Sequence, residues 1–161
     1  MRSPFLAAVC LALAAAGCSQ GSEPSLESVD SATSSQDVVD YGKEPIVLRA
    51  ASDVRKLTGA PDGFKQFIAG VTDATTSGID PEGECPPQVE VSVIVPKGFA
   101  AGAIRACNGA AHIWAKKNGV WQQIWAGQSD PDCAAMKSND VPEVIAGEQC
   151  WADGELVPYS R

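Results

Sequence analysis

The chain has 161 residues with 20 acids against 12 bases, a formal net charge of −8. Such an acidic balance supplies no electrostatic footprint for a nucleic acid, and it repels anionic lipid headgroups. The length suits a single domain, and six cysteines in so short a chain turn attention to disulfides and to an oxidising compartment.

Met1-Arg2 gives a short basic start, and residues 5–16 are apolar throughout. About 12 residues at 1.5 Å each reach only about 18 Å, short of a ~30 Å hydrocarbon core. The segment reads as the apolar part of a signal peptide covering residues 1–17. Two cleavage readings follow. Ordinary secretion cuts after Ala14-Ala15-Ala16. Alternatively, Ala15-Ala16-Gly17-Cys18 resembles the lipobox of bacterial lipoproteins, with Ala15 where that pattern prefers Leu. The resemblance implies a diacylglycerol-modified Cys18 at the new N-terminus and a chain anchored at the extracytoplasmic face of the cell membrane. It covers only about the first 20 residues and implies nothing about the domain beyond. Loss of Arg2 with the leader takes the net charge to −9.

Residues 18–45 are rich in Ser, carry Glu23, Glu27, Asp30, Asp37 and Asp40, and show no apolar period. Such a stretch buries too little apolar surface to offset its ordering entropy, so a disordered tether is expected. Residues 46–161 then form one domain. Ile46–Leu48 predicts a short edge strand. Ser52 or Asp53 caps a short helix with Val54 and Leu57, stopped by Gly59. Pro61-Asp62 opens a second helix whose Phe64, Phe67, Ile68 and Val71 fall at i, i+3, i+4 and i+7, on one face. Asp80, Glu82 and Glu84 alternate in the loop that follows. They could face a Ca²⁺ ion, but without an EF-hand pattern they read as solvated acids.

From Val89 the period becomes two, with Val91, Val93 and Val95. Asn108-Gly109 and Asn118-Gly119 both sit between alternating runs and predict type I′ hairpin turns. Strands over 99–107, 110–117 and 120–127 follow, with the Val strand as a fourth. Two-residue turns place Ile113 opposite both Ile104 and Ile124. One face then holds Gly102, Ile104, Ala106, Ala111, Ile113, Ala115, Val120, Ile124 and Ala126, an aliphatic core face for the Phe64 helix. The other holds Phe99, Arg105, His112, Trp114, Trp121, Gln123 and Trp125, with a cross-strand row Arg105–His112–Trp125. A two-residue Lys97-Gly98 turn puts the valines on the core face and a three-residue Pro96-Lys97-Gly98 turn puts them opposite; the first completes the aliphatic face and is the expectation. Asp130-Pro131 predicts N-cap and N1 of a short helix, Val141-Pro142 a turn, and Asp153-Gly154 a last hairpin. The fold class is α+β: an antiparallel four-stranded meander with helices packed on one face.

Cys10 leaves with the leader and Cys18 takes the lipid, which leaves Cys85, Cys107, Cys133 and Cys150. No pair has C-x-x-C spacing and there is one His, so the reading is two disulfides and no metal. Cys85 and Cys107 fall at one end of the sheet, which leaves Cys133 to pair with Cys150. Arg105, His112, Trp114, Trp121 and Trp125 make a candidate recognition face, since aromatic residues and Arg are enriched at interface hot spots. The competing reading folds the C-terminal segment over that face. The expected function is a non-catalytic binding or accessory domain, without a cofactor, for an envelope protein or a wall polymer. The alternative is an envelope hydrolase or isomerase with His112 as general base and an acid such as Asp132 assisting.

Overall fold

The structure is a computed structural model and describes residues 38–161; the expected leader, Cys18 and most of the tether lie outside the described residues. Two short strands come first, β1 (Val39–Asp40) and β2 (Ile46–Leu48), then a 3-10 helix (Ala51–Lys56) and α1 (Asp62–Thr76). The meander is β3 (Gln88–Val95), β4 (Phe99–Arg105), β5 (Ala110–Lys117) and β6 (Val120–Gly127). The C-terminal segment holds α2 (Cys133–Ser138), α3 (Glu143–Ala146) and the hairpin β7 (Gln149–Ala152) and β8 (Glu155–Pro158). The expected meander is present, widened to a six-stranded antiparallel sheet because β1 and β2 both pair with the outer edge of β3. Residues 38–45, expected in the tether, carry β1, whose Val39 lies against Ile94.

Helix α1 forms where its apolar period predicts. Pro61 holds the N-cap position, and its carbonyl accepts the Phe64 and Lys65 amides. Phe64 and Ile68 are fully buried, as is Thr72, whose hydroxyl donates to the Ile68 carbonyl at 2.8 Å. In the 3-10 helix, the Asp53 carboxylate accepts the Arg49 and Ala50 amides and pairs with Lys56 at 2.8 Å. Helix α2 begins two residues later than expected, with Asp132 as the cap accepting the Ala135 amide at 2.8 Å. Pro131 and Asp132 are engaged by β7: the Trp151 amide donates to the Pro131 carbonyl and Asp132 bridges Trp151.

The faces of the sheet differ from the sequence expectation, for three reasons. Asn118-Gly119 forms the tight turn, with φ of 52° and 85° and Lys117 opposite Val120. Asn108-Gly109 does not. Ile104 pairs with Ala110, so Gly102 faces His112 and Ala101 faces Ile113. The Cys85–Cys107 disulfide holds residue 107 in a wider loop, at a Cα–Cα distance of 5.0 Å from Cys85. The pairing moves by three residues, an odd number, and turns β4 over relative to β5. The turn between β3 and β4 is the three-residue one, with Val95 opposite Phe99. Bulges then interrupt β3 between Val91 and Val93 and β6 at Ile124, so Ile113 pairs with Trp125. A bulge inserts one unpaired residue and exchanges the faces beyond it.

Helices therefore cover both faces of the sheet. On one, Val89, Val91, Ile94, Ala100, Trp114 and Trp121 pack with Leu48, Leu57, Phe64 and Ile68. On the other, Val95 and Ile113, with half-buried Val93, Phe99 and Trp125, pack against Met136, Val141, Ile145 and Tyr159. Both disulfides pair as expected, Cys85 with Cys107 and Cys133 with Cys150.

Candidate functional site

The corrected register lays out the second face in cross-strand rows. One row runs Val93–Ala101–Ile113–Trp125 and lies beneath the C-terminal segment. The next runs Glu90–Ala103–Ala111–Gly127, so three adjacent strands contribute only a methyl or a hydrogen. Beyond it lie Gln88 and Arg105. A row of minimal side chains between larger ones makes a trough. Its volume is about 460 Å³, with Ala103, Ala111 and Gly127 as floor and Arg105, Gly109, Gln128 and Asp130 around it. That size falls within the usual range for small-ligand sites.

The trough has one organised polar bank. Arg105 Nε donates to Glu90 Oε2 at 2.6 Å, and Gln88 Nε2 donates to Glu90 Oε1 at 3.0 Å. Glu90 is 9% exposed while the Arg105 side chain is 56% exposed. The carboxylate is thus held by two donors, and the guanidinium is fixed in orientation while still facing water. Gln128 Nε2 donates to the Gly109 carbonyl at 3.1 Å and ties the far end of β6 to the β4–β5 loop. The Trp125 ring lies along its own strand against Gly127, where a Cβ would come within 2.7 Å of Cζ2.

The five residues expected to share a recognition face are divided between two. Arg105 and Trp125 lie on the trough side, Trp125 half-buried beside the C-terminal segment. His112, Trp114 and Trp121 lie on the α1 side and are buried. The row Arg105–His112–Trp125 does not form: His112 stands between Gly102 and Ala126. Trp114 and Trp121 flank Phe64, with ring centroids at 6.2 and 4.8 Å, and belong to the core that the aliphatic face was expected to supply. The C-terminal segment covers the face carrying Ile113 and Trp125.

His112 stacks on Trp114 at 5.8 Å and its Nδ1 shares a 2.7 Å hydrogen bond with Gln123 Oε1. Burial pushes its pKa down, and the Gln123 bond opposes this. Asp132 caps α2 in the C-terminal segment, on the opposite side of the sheet from His112. In the acidic loop Asp80 Oδ1 accepts the Glu82 amide at 2.9 Å, which turns the chain there. No group of three or more potential metal ligands occurs among the described residues.

Sequence reasoning missed Glu90 and the small-residue row. Glu90 alternates with the valines in sequence, where nothing sets it apart. The row did leave a trace: Ala103, Ala110-Ala111 and Ala126-Gly127 recur in three successive strands. Only the observed register shows that they align. Comparison with protein-family models, with curated proteins and with solved structures gave no match.

Proposed function

We propose that the chain is exported, is anchored at the extracytoplasmic face of the cell membrane by acylated Cys18, and presents a non-catalytic binding domain whose contact surface is the trough beside Arg105. The observation that carries export is the pair of disulfides, Cys85–Cys107 and Cys133–Cys150, since such bonds persist in oxidising compartments. The binding reading rests on the trough: a floor of two methyls and a glycine beside one oriented, water-facing guanidinium suits an extended ligand with an acidic group. A wall polymer or an envelope protein segment has that form. A hydrolase or isomerase reading gains little support from the geometry, because His112 is 8% exposed, is bonded to Gln123 and lies across the sheet from Asp132.

Mass spectrometry of the chain recovered from the membrane fraction tests the anchor. The expected N-terminus is Cys18 bearing acyl mass, lost in Cys18→Ser. An unmodified N-terminus in the medium gives the secreted alternative. Titration of amide-labelled protein with acidic wall-polymer fragments tests the site. The amides of Ala111 and Gly127 shift, and Arg105→Ala abolishes the shift. If these amides stay still while others move, the trough is not the contact surface.

A further inference from the structure

The two edges of the main sheet are built differently. The outer edge of β3 is taken by strands of two and three residues, β1 and β2, separated by a turn with Gly42, Lys43, Glu44 and Pro45. Short strands and a Pro-containing turn are common devices for closing an edge. The other edge is β6, eight residues long, pairing only with β5 among the described residues. Its sequence, Val-Trp-Gln-Gln-Ile-Trp-Ala-Gly, has no charge and no Pro. A long, uncharged edge is a template for another strand.

The backbone groups that point outward follow from the turn. Lys117 and Val120 flank the two-residue Asn118-Gly119 loop and form its hydrogen-bonded pair. Hydrogen-bonded and non-bonded pairs then alternate, so Gln122 bonds to β5 while Trp121 and Gln123 turn their N–H and C=O groups away from it. The bulge at Ile124 ends this regular stretch. The straight part of the edge is therefore residues 120–124, centred on Gln122, which is exposed.

We infer that this edge pairs with the same edge of a second copy of the chain, antiparallel, with the two-fold axis at Gln122. The argument for a second copy is charge. The chain carries a net charge of −8, which opposes association of copies through carboxylate-bearing surface, whereas the β6 seam has no charged side chain and brings no carboxylates together. Antiparallel pairing also sets the Lys116 and Lys117 end of one edge towards the Asp130 end of the other. In this register Trp121 and Gln123 of one copy exchange backbone hydrogen bonds with Gln123 and Trp121 of the other. The two Gln122 residues form the non-bonded pair at the axis, where side chains approach closely. Val120, 67% exposed, comes opposite Ile124 of the second copy and gains an apolar neighbour.

The non-bonded spacing of about 4.5 Å between Cα atoms lies within disulfide range, which gives a direct test. In the full chain, Gln122→Cys with a mild thiol oxidant yields a disulfide-linked species of twice the mass. Glu155→Cys, exposed on β8, does not. Sedimentation of the full chain in detergent supplies the second reading: wild type moves as a dimer, and Gln122→Lys, with like charges at the axis, moves as a monomer with an unchanged circular dichroism spectrum. Cross-linking of Gln122→Cys no faster than Glu155→Cys overturns the proposal, as does a wild-type monomer at all concentrations. A dimer that persists in Gln122→Lys places the contact elsewhere and also overturns it. Cross-linking of Gln122→Cys to a chain of another mass assigns the edge to a different partner and overturns the second copy.

Discussion

Phe64→Ala tests the central packing arrangement, in which α1 seals the tryptophan side of the sheet. Phe64 is fully buried, and its ring meets Trp121 edge-on at 4.8 Å and Trp114 at 6.2 Å. Deleting a fully buried Phe side chain costs about 3–5 kcal/mol, from lost transfer energy and from the cavity left behind. Aromatic pairs of this kind contribute about 0.5–1.5 kcal/mol beyond buried area, so the upper half of that range applies. Against a typical stability of about 5–15 kcal/mol this is a large fraction. For a domain of this size it lowers the melting temperature by roughly 10–20 °C. Urea unfolding followed by tryptophan fluorescence reads the loss as a fall in midpoint at unchanged slope. Acrylamide quenching provides the local reading: in single-tryptophan variants, Trp114 is protected in the parent and opens with Phe64→Ala. A loss below about 1 kcal/mol, or a Trp114 already open to quencher in the parent, would refute the reasoning, since sites sealed by a central ring do not give it up so cheaply.

Three further substitutions probe other parts of the structure. Gly102→Ala introduces a Cβ that meets the Glu90 carbonyl oxygen and comes within 3.1 Å of Trp114 Cζ3, so β3 and β4 must separate; a destabilisation of about 1–3 kcal/mol or more by urea titration is expected. His112 has a folded-state pKa below its ordinary 6.5, because burial disfavours the charged ring, so the unfolded chain binds the proton more readily. Its contribution is complete above pH 6.5 and is lost as pH falls through 6.5 towards the folded-state value; His112→Gln flattens the stability–pH curve across that window. Replacing Cys133 and Cys150 together by Ala opens a loop with a sequence separation of 17. That costs about 3 kcal/mol, measured as the difference between oxidised parent and variant in the same titration.

Much of the secondary structure was legible because single residues decide it. Pro61 and the Phe64–Ile68 spacing specify α1, and Asn118-Gly119 and Asp153-Gly154 specify tight turns in which Asn118 and Asp153 adopt positive φ. The side of the sheet on which each residue falls was not legible, because it depends on counting. Asn108-Gly109 carries the same local signal as Asn118-Gly119, yet it lies next to Cys107, and a bond to Cys85 outweighs a turn preference. The valines gave no parity signal either. Val89 and Val91 pack with α1 while Val93 and Val95 pack with the C-terminal segment, and a sheet covered on both sides uses apolar residues on both. Strand β1 is not legible in the sequence, because two residues, Val39 and Asp40, in a polar stretch make no period. Of the candidate site, Arg105 was legible as a charged strand end, while its partner Glu90 and the trough emerge only once the rows align.

The C-terminal segment is fastened chiefly to itself. Its disulfide joins Cys133 to Cys150, Tyr159 donates its hydroxyl to the Val141 carbonyl at 2.7 Å, and the Trp151 amide reaches Pro131. Lys117 Nζ reaches from the sheet to the Asn139 carbonyl at 3.3 Å, and a broad apolar contact lies beneath the segment. A unit cross-linked internally and seated by oily contact has the makings of a separate opening unit, able to lift with its own structure intact. In native-state hydrogen exchange, amides of α2, α3 and the β7–β8 hairpin would then open together, at a lower free energy than those of β3, β4 and β5. Each such opening would lengthen the trough along the sheet by baring Ile113 and Trp125.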